Sequence, residues 1–443
     1  MTSGCNTPLL DKSFDQLLDA CIHCGFCLPA CPTYRLTGSE AESPRGRIYL
    51  MRQWHEGTLT ADEVNPAIDT CLGCMACTTA CPSGVDYGGL LAQTRPTLLE
   101  TRTKTPGERL ARVLRRFAVA QVLPNPSLLK LAAAGLRLTQ ALRLDALFLA
   151  LPFAEGLSAL IQTKLGGPHL AQWLRMAPQL SLLERNSRTN PIQHLNQPCY
   201  EPELAGATPN GQTVALFLGC VMQAMFEAIH LDTVFVLLKQ GYRVTIPQGQ
   251  TCCGALAEHA GEPALAEPLL SQNANALLAQ NPDFIVLNAA GCSAFLKHAA
   301  NPLASRVIDI MALLARRPLA KFSQAQPAQV VTYHAACHLH HAQKVVQEPL
   351  EMLAQVPGVT LKPLKDATMC CGSAGVYNLQ HPDYANAILD EKTRHVLATK
   401  ADCVVTGNPG CLLQIQAGLR QAKSDMRACH PVSLLAEAYA KSG

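Results

Sequence analysis

Two runs of the chain share one cysteine spacing: Cys21, Cys24, Cys27 and Cys31, then Cys71, Cys74, Cys77 and Cys81, each closed by a proline, Pro32 or Pro82. In a CxxCxxCxxxCP run, one short loop wraps three thiolates around a corner of a cubane cluster and sends the fourth to a neighbouring cluster. The pair therefore predicts a ferredoxin-like domain with two [4Fe-4S] clusters in crossed ligation. One cluster takes Cys21, Cys24, Cys27 and Cys81, and the other takes Cys71, Cys74, Cys77 and Cys31. A pair of zinc sites would use paired CxxC units rather than two identical quartets, and a disulfide scaffold would require secretion.

The 443 residues are enough for two to four domains, and 48% hydrophobic content is ample for packed cores. The N-terminus has no basic stretch followed by an apolar one, so no signal peptide is evident. For the twenty cysteines, metal ligation in a reducing cytoplasm is then a simpler account than disulfides. A net charge of +3 is too small and too scattered to argue for nucleic acid. No uncharged apolar stretch reaches the roughly 18 residues that a membrane-spanning helix needs.

Composition divides the chain into three parts. Residues 14–100 hold the two cysteine runs, separated by a segment, 41–69, read as one or two helices with a PRGR turn at 44–47. Residues 105–205 are rich in leucine, alanine and arginine and read as a helical connector, with Asn125 before Pro126 as a helix start. Within it, Leu131, Leu138, Leu142 and Leu149 share one helical face. Such a stripe packs on the chain's own domains or docks on a partner or a membrane surface.

The third part is an internal duplication, with repeats at 210–325 and 326–443. Aligning VALFLGC (214–220) with VVTYHAAC (330–337) also aligns TCCG with MCCG and NAAGC with GNPGC, at offsets of 117, 118 and 119 residues. Each copy reads as strand, helix, strand, helix, strand, helix. The strands are 214–218, 243–247 and 283–288 in the first copy, and 330–333, 359–364 and 402–407 in the second. The expected architecture is thus a mixed multidomain chain: a ferredoxin-like α+β domain, a helical connector and two α/β repeats with parallel sheets. In open parallel sheets the binding crevice lies beyond the carboxyl ends of the strands. Cys220, Cys252, Cys253 and Cys292 follow strands of the first repeat; Cys337, Cys370, Cys371 and Cys411 follow those of the second. Each foursome should converge on an iron-sulfur cluster or a zinc ion. Gly254, Gly372, Gly291 and Gly410 beside these thiols suit tight turns.

Cys5, Cys199, Cys403 and Cys429 have no counterpart in either pattern and read as ordinary thiols. His334, His338, His340 and His341 surround Cys337, whereas the first repeat has only His230 near Cys220. That crowding raises a ligand or supporting role for a histidine and makes the second copy the better candidate for a redox cluster. Arg45 and Arg47 read as solvated charge, as partner contacts, or as charges that raise a cluster potential.

CIHCGFCLPACPTY, SPRGRIYL, CLGCMACTTACPSGV, CCGA, GCSAF, CHLHHAQK and CCGSAGVY together resemble the iron-sulfur subunit of glycolate dehydrogenase (glycolate oxidase), within the wider group carrying cysteine-rich CCG domains. The resemblance implies an oxidoreductase subunit that takes electrons from FAD-containing partner subunits oxidising glycolate to glyoxylate. It would pass them towards a quinone at the cytoplasmic face of the membrane, with neither oxygen nor NAD as acceptor. In the heterodisulfide-reductase relatives each CCG repeat ends in CxxC and supplies a fifth thiol. Here Phe295 and Gln414 stand at those positions, which puts heterodisulfide cleavage in doubt.

The residues separately imply a partner. Oxidising a 2-hydroxy acid releases a hydride equivalent, which a flavin or nicotinamide accepts and a one-electron cluster does not. No GxGxxG stands at a strand-to-helix junction, so no catalytic residue is assigned to this chain. The alternatives are a CCG-centred reductase acting directly on a disulfide or quinone, and the equivalent subunit for lactate, glycerol-3-phosphate or succinate-type flavoproteins.

Overall fold

The structure is a computed structural model that describes residues 13–102, 109, 112–113, 116–151, 154, 156, 158, 174, 190–299, 301–322 and 327–440. In the first part, Ser13 caps the helix Phe14–Asp19 through a reciprocal box with Gln16. The segment between the cysteine runs forms two helices, Pro44–His55 and Ala61–Asp69. PRGR is not a turn but the opening of the first of these. The Ser43 hydroxyl accepts from the Gly46 amide at 3.0 Å, and Pro44 sits in the first turn, where its missing N–H leaves nothing unpaired. Leu17, Leu18, Ile48, Met51, Val64, Ile68, Leu90 and Leu91 form the core, closed by the helix Tyr87–Arg102.

All six expected strands form, as parts of two sheets. The first contains β1 (Cys199–Tyr200), β2 (Thr213–Leu216), β3 (Arg243–Thr245), β4 (Phe284–Leu287) and β5 (Val307–Asp309), in the order β1-β3-β2-β4-β5. The second contains β6 (Gln329–Tyr333), β7 (Val359–Lys362), β8 (Cys403–Val405) and β9 (Arg427–Cys429), in the order β7-β6-β8-β9. Every pairing is parallel except the antiparallel edge strand β1. β1, β5 and β9, of two or three residues each, extend the sheets at their edges beyond the six expected strands.

In the connector, the Asn125 side chain caps the helix Pro126–Ala141 by accepting from the Ser127 and Leu128 amides. A shorter helix, Leu144–Ala150, follows. The leucine stripe does not pack on the chain's own domains: Leu131, Leu138 and Leu142 are 60–70% exposed, and the side chain of Leu149 lies outside the described residues. Among the described residues no helix is long and apolar enough to cross a membrane.

The two repeats share one core. The helix Glu227–Lys239 is buried from Ile229 to Leu238 and packs on the helix Pro431–Ala440, so that Val432, Leu435, Ala436 and Tyr439 join Val234, Leu237 and Leu238. The Gln240 amide donates to the Tyr439 hydroxyl at 2.9 Å, and that hydroxyl donates to the Ala320 carbonyl at 3.0 Å. Leu435→Ala is therefore expected to cost about 2–5 kcal/mol. Hydrogen exchange should then speed up along 227–239, in the other repeat; exchange confined to 431–440 would refute the shared core.

Candidate metal centres

Both cysteine runs curl by the same device. His23 and Gly25 in the first, and Gly73 and Met75 in the second, occupy equivalent positions and all have left-handed φ, between 54° and 87°. His23 and Met75 pay for this with backbone strain of the kind found where a loop must wrap a ligand. The turned thiols line two cavities. One is lined by Cys21, Cys24, Cys27, Cys77 and Cys81. The other is lined by Cys31, Cys71, Cys74 and Cys77. Each cavity thus holds three thiols of one run and the last thiol of the other, with Cys77 lining both, an all-sulfur donor set suited to iron-sulfur clusters.

Electrostatics around the second cavity centre on Arg47. It is 1% exposed, so the solvated-charge reading fails. Its guanidinium donates to the Ala67 carbonyl (2.6 Å), the Thr33 and Thr70 hydroxyls (3.0 and 3.1 Å) and, at 3.8 Å, the Cys31 sulfur. Burial pushes the Cys71 thiol up, but Arg47 and Arg95, with the Tyr87 hydroxyl and Gly73 amide, outweigh it and hold Cys71 below its ordinary value. Arg45 stays nearer the surface, paired with Glu40 at 2.6 Å and donating to the His23 carbonyl.

The thiols of each repeat converge beyond the strand ends, as the parallel sheets dictate. In the first repeat Cys220 and Cys252 are 3.4 Å apart, Cys253 and Cys292 3.2 Å, and the vicinal pair joins them. In the second, Cys337 contacts Cys370, Cys370 contacts Cys371, and Cys371 contacts Cys411. Gly372 is required in its turn: at φ +88°, an added Cβ would stand 2.6 Å from the Ala385 carbonyl oxygen. Gly291 lies inside the helix Ala290–His298 with no left-handed φ, so it makes no tight turn.

The histidines divide by their partners. His230 is satisfied at both nitrogens, by the Leu218 carbonyl (2.9 Å) and the Asn288 amide (3.1 Å). His341 bonds Thr79 and the Thr368 carbonyl, and His338 lies 3.6 Å from the Cys337 sulfur. His340 stacks edge-on against His341. His334 is fully buried beside Cys371 and Cys411, and neither ring nitrogen meets hydrogen-bond geometry. Burial, aided by Lys392 and only partly offset by the nearby Ala367 backbone, keeps the ring well below its ordinary pKa and hence neutral. An unpaired buried polar group costs about 1–3 kcal/mol.

The ferredoxin-like part sits on the second repeat. Leu72, Cys74 and Ala76 share an apolar cluster with Cys370, Tyr377, Ala385 and Ile388, with Cys337 packed against it. The Tyr377 hydroxyl donates to the Thr70 carbonyl (3.0 Å), and the Tyr384 hydroxyl to Glu42 (2.6 Å). Arg35 bridges Asp366 and Glu391.

Comparison with known proteins agrees with this architecture. The family profile described as a 4Fe-4S dicluster domain matches residues 17–85, and the one described as a cysteine-rich domain matches 214–297 and again 331–416. A Bacillus subtilis protein described as "Probable glycolate oxidase iron-sulfur subunit" is 34% identical over 99% of this chain and 99% of its own length. The chain belongs to the glycolate oxidase iron-sulfur subunit family. A second member, the "Glycolate oxidase iron-sulfur subunit" of Escherichia coli, is 31% identical over 90% of this chain and 89% of its own. "Lactate utilization protein A 2" of Bacillus cereus is 26% identical over 52% of this chain and 99% of its own. As a glycolate oxidase iron-sulfur subunit family member, the chain is an iron-sulfur electron-transfer protein of the oxidoreductase class.

Sequence reasoning missed Lys392, which is fully buried, donates to the Asp366 carbonyl and lies in the field of Cys370, Cys371 and Cys411. Burial lowers its pKa to about 8 against the pull of those thiols. In the sequence it sits in a charged run, DEKTRH, that looks solvated. Cys403 and Cys429, read separately as ordinary thiols, stand 3.0 Å apart across β8 and β9, while Cys199 accepts from Arg243 at 3.1 Å. Cys5 lies outside the described residues.

Two measurements check these sites. Cys24→Ser should delete one ferredoxin-type paramagnetic signal and Cys370→Ser a different feature; a Cys370→Ser protein with unchanged metal and spectra would refute the second-repeat site. Arg47→Met removes a buried positive charge that favours the reduced cluster. It should lower one midpoint potential by on the order of 100 mV in a redox titration, the equivalent of a unit charge a few ångströms away at an effective dielectric near 20.

Proposed function

We propose that this chain is the electron-transfer subunit of a flavin-dependent glycolate dehydrogenase. It would receive electrons released when FAD-containing partner subunits oxidise glycolate to glyoxylate and pass them towards a quinone-type acceptor. Cys21, Cys24, Cys27 and Cys81 hold one [4Fe-4S] cluster, and Cys71, Cys74, Cys77 and Cys31 the other. The foursomes Cys220, Cys252, Cys253, Cys292 and Cys337, Cys370, Cys371, Cys411 hold a further iron-sulfur cluster or zinc. When bound, such clusters supply one-electron steps, which match a flavin that collects two electrons and releases them singly.

The observation that carries this reading is the contiguity of the sites. The first cavity opens at the surface between Ile22 and Phe26, which are 68% and 67% exposed around the exposed Cys24. From there, Cys77 lines both cavities, and Cys74 packs against Cys370. The residues thus hold a line of sulfur sites from an apolar entry face to the buried second repeat. The exposed leucine face of Pro126–Ala141 offers the flavin subunits a second docking surface. We place the chain in the cytoplasm, peripheral to the inner face of the membrane, in keeping with the lack of a spanning helix among the described residues.

Anaerobic addition of glycolate to the chain isolated with its native partners should bleach the broad iron-sulfur absorbance, and the chain alone should not respond. Bleaching by lactate or glycerol-3-phosphate in place of glycolate, with the clusters reducible by dithionite, would move the donor to another flavoprotein. Turnover of a disulfide by the isolated chain with an artificial reductant would favour the direct-reductase reading.

A further inference from the structure

Among the described residues, His334 is the buried histidine that has both ring nitrogens outside hydrogen-bond geometry. It follows β6 directly and is fully buried, the Ala367 backbone being only nearby. Buried polar groups are almost always paired, so an orphaned imidazole calls for an ion or ligand at its edge. The surroundings supply one direction: a ring nitrogen and the sulfurs of Cys371 and Cys411 all lie within 4.8 Å of one another. One metal, bonded to nitrogen at about 2.0–2.1 Å and to thiolates at about 2.3 Å, would close such a triangle.

The duplication contains its own control. Placing Cys220 on Cys337 sets Phe217 where His334 stands, and Phe217 is buried among Ala215, Leu287 and Leu296. The first-repeat histidine near Cys220, His230, is satisfied by other groups. The first crevice therefore offers four sulfurs, whereas the second offers four sulfurs and, besides His338 on the Cys337 sulfur, the His334 imidazole beside Cys371 and Cys411. Position 414, where a fifth thiol would sit, holds a buried glutamine whose Oε1 accepts from Asn378, so the additional strong donor comes instead from the end of β6.

We propose that His334 is a metal ligand, the fifth donor of the second repeat's centre beside Cys337, Cys370, Cys371 and Cys411. The proposal rests on the reading that these thiols hold metal. Structural zinc sites close with four ligands, so a centre that takes all five donors is an iron-sulfur one, and the first repeat is then the chemically different, all-thiol site. A neutral imidazole in place of a thiolate removes one negative charge from the centre. Its potential should therefore lie above that of an all-thiolate equivalent, as in clusters where histidine replaces cysteine.

The test uses the full chain, isolated anaerobically with its partners after growth with 15N-histidine or natural histidine, and compared with His334→Ala, His334→Cys and Cys370→Ser. The expected result is a histidine-nitrogen coupling, in pulsed electron paramagnetic resonance of the dithionite-reduced protein, on the signal that Cys370→Ser deletes. His334→Ala should lose that coupling together with most of the centre's iron, leaving the ferredoxin-type signals intact. His334→Cys should regain the iron with a lower potential and no coupling. No nitrogen coupling on that signal, or an iron content unchanged by His334→Ala but lowered by Cys370→Ser, would overturn the proposal while leaving the thiol site standing. Metal content unchanged in both variants would overturn the thiol site as well. A zinc count lowered by Cys370→Ser, without loss of iron, would overturn the assignment to iron-sulfur chemistry. The isotope comparison on the unmodified protein decides the ligand even where a variant fails to fold.

Discussion

Anionic sulfur held away from water is the constraint around which this molecule is arranged. Thiolates gathered at contact distance repel one another, and burial disfavours each charge further. The repulsion reaches across part boundaries: Cys74 is pushed up first by its own burial and then by Cys337 of the second repeat. Two buried cations answer it. Arg47, from the helix between the cysteine runs, serves Cys31 and Cys71; Lys392, from the helix Pro382–Ala398, serves Cys370, Cys371 and Cys411. Neither is at the surface, and each is anchored to a backbone carbonyl that fixes it beside sulfur. Sites of this kind couple metal binding to folding, because the ligand charge is tolerable only when the metal is there to balance it.

The duplication has not produced two equivalent sites. The second cysteine run lies against Cys370 and Cys337, whereas the first repeat meets the ferredoxin-like part where Gly261 approaches the Arg95 carbonyl. The side chains diverge in the same sense, with Phe217 apolar in one crevice and His334 polar in the other. Position in the assembly and donor chemistry thus both single out the second repeat.

Much of this was legible in the sequence because it is written locally. The cysteine spacing and the repeat register placed sixteen thiols, and the structure gathers them into groups. The six main strands were readable as apolar runs repeated in both copies, whereas β1, β5 and β9 are edge strands without such a repeated run. What failed was any inference about which side of a helix faces inward. Arg47 and Lys392 look like surface charges until tertiary packing surrounds them, and Leu131 and Leu138 look like core until nothing covers them. The pairing of Cys403 with Cys429 depends on β8 lying beside β9, a neighbour relation that sequence spacing does not encode.

The shared core of the repeats bears on the order in which the molecule is completed. A chain is made from its N-terminus, and domains ordinarily fold as they emerge. The first sheet, however, borrows its cover from Pro431–Ala440, beyond the second sheet. Until that helix arrives, Val234, Leu237 and Leu238 lack part of their apolar cover, and the first crevice stands on an unfinished scaffold. The dicluster part, whose own core is made entirely from residues 14–98, has no such wait. Biogenesis would then run in two stages, an early cysteine-rich head followed by a body whose two halves close together.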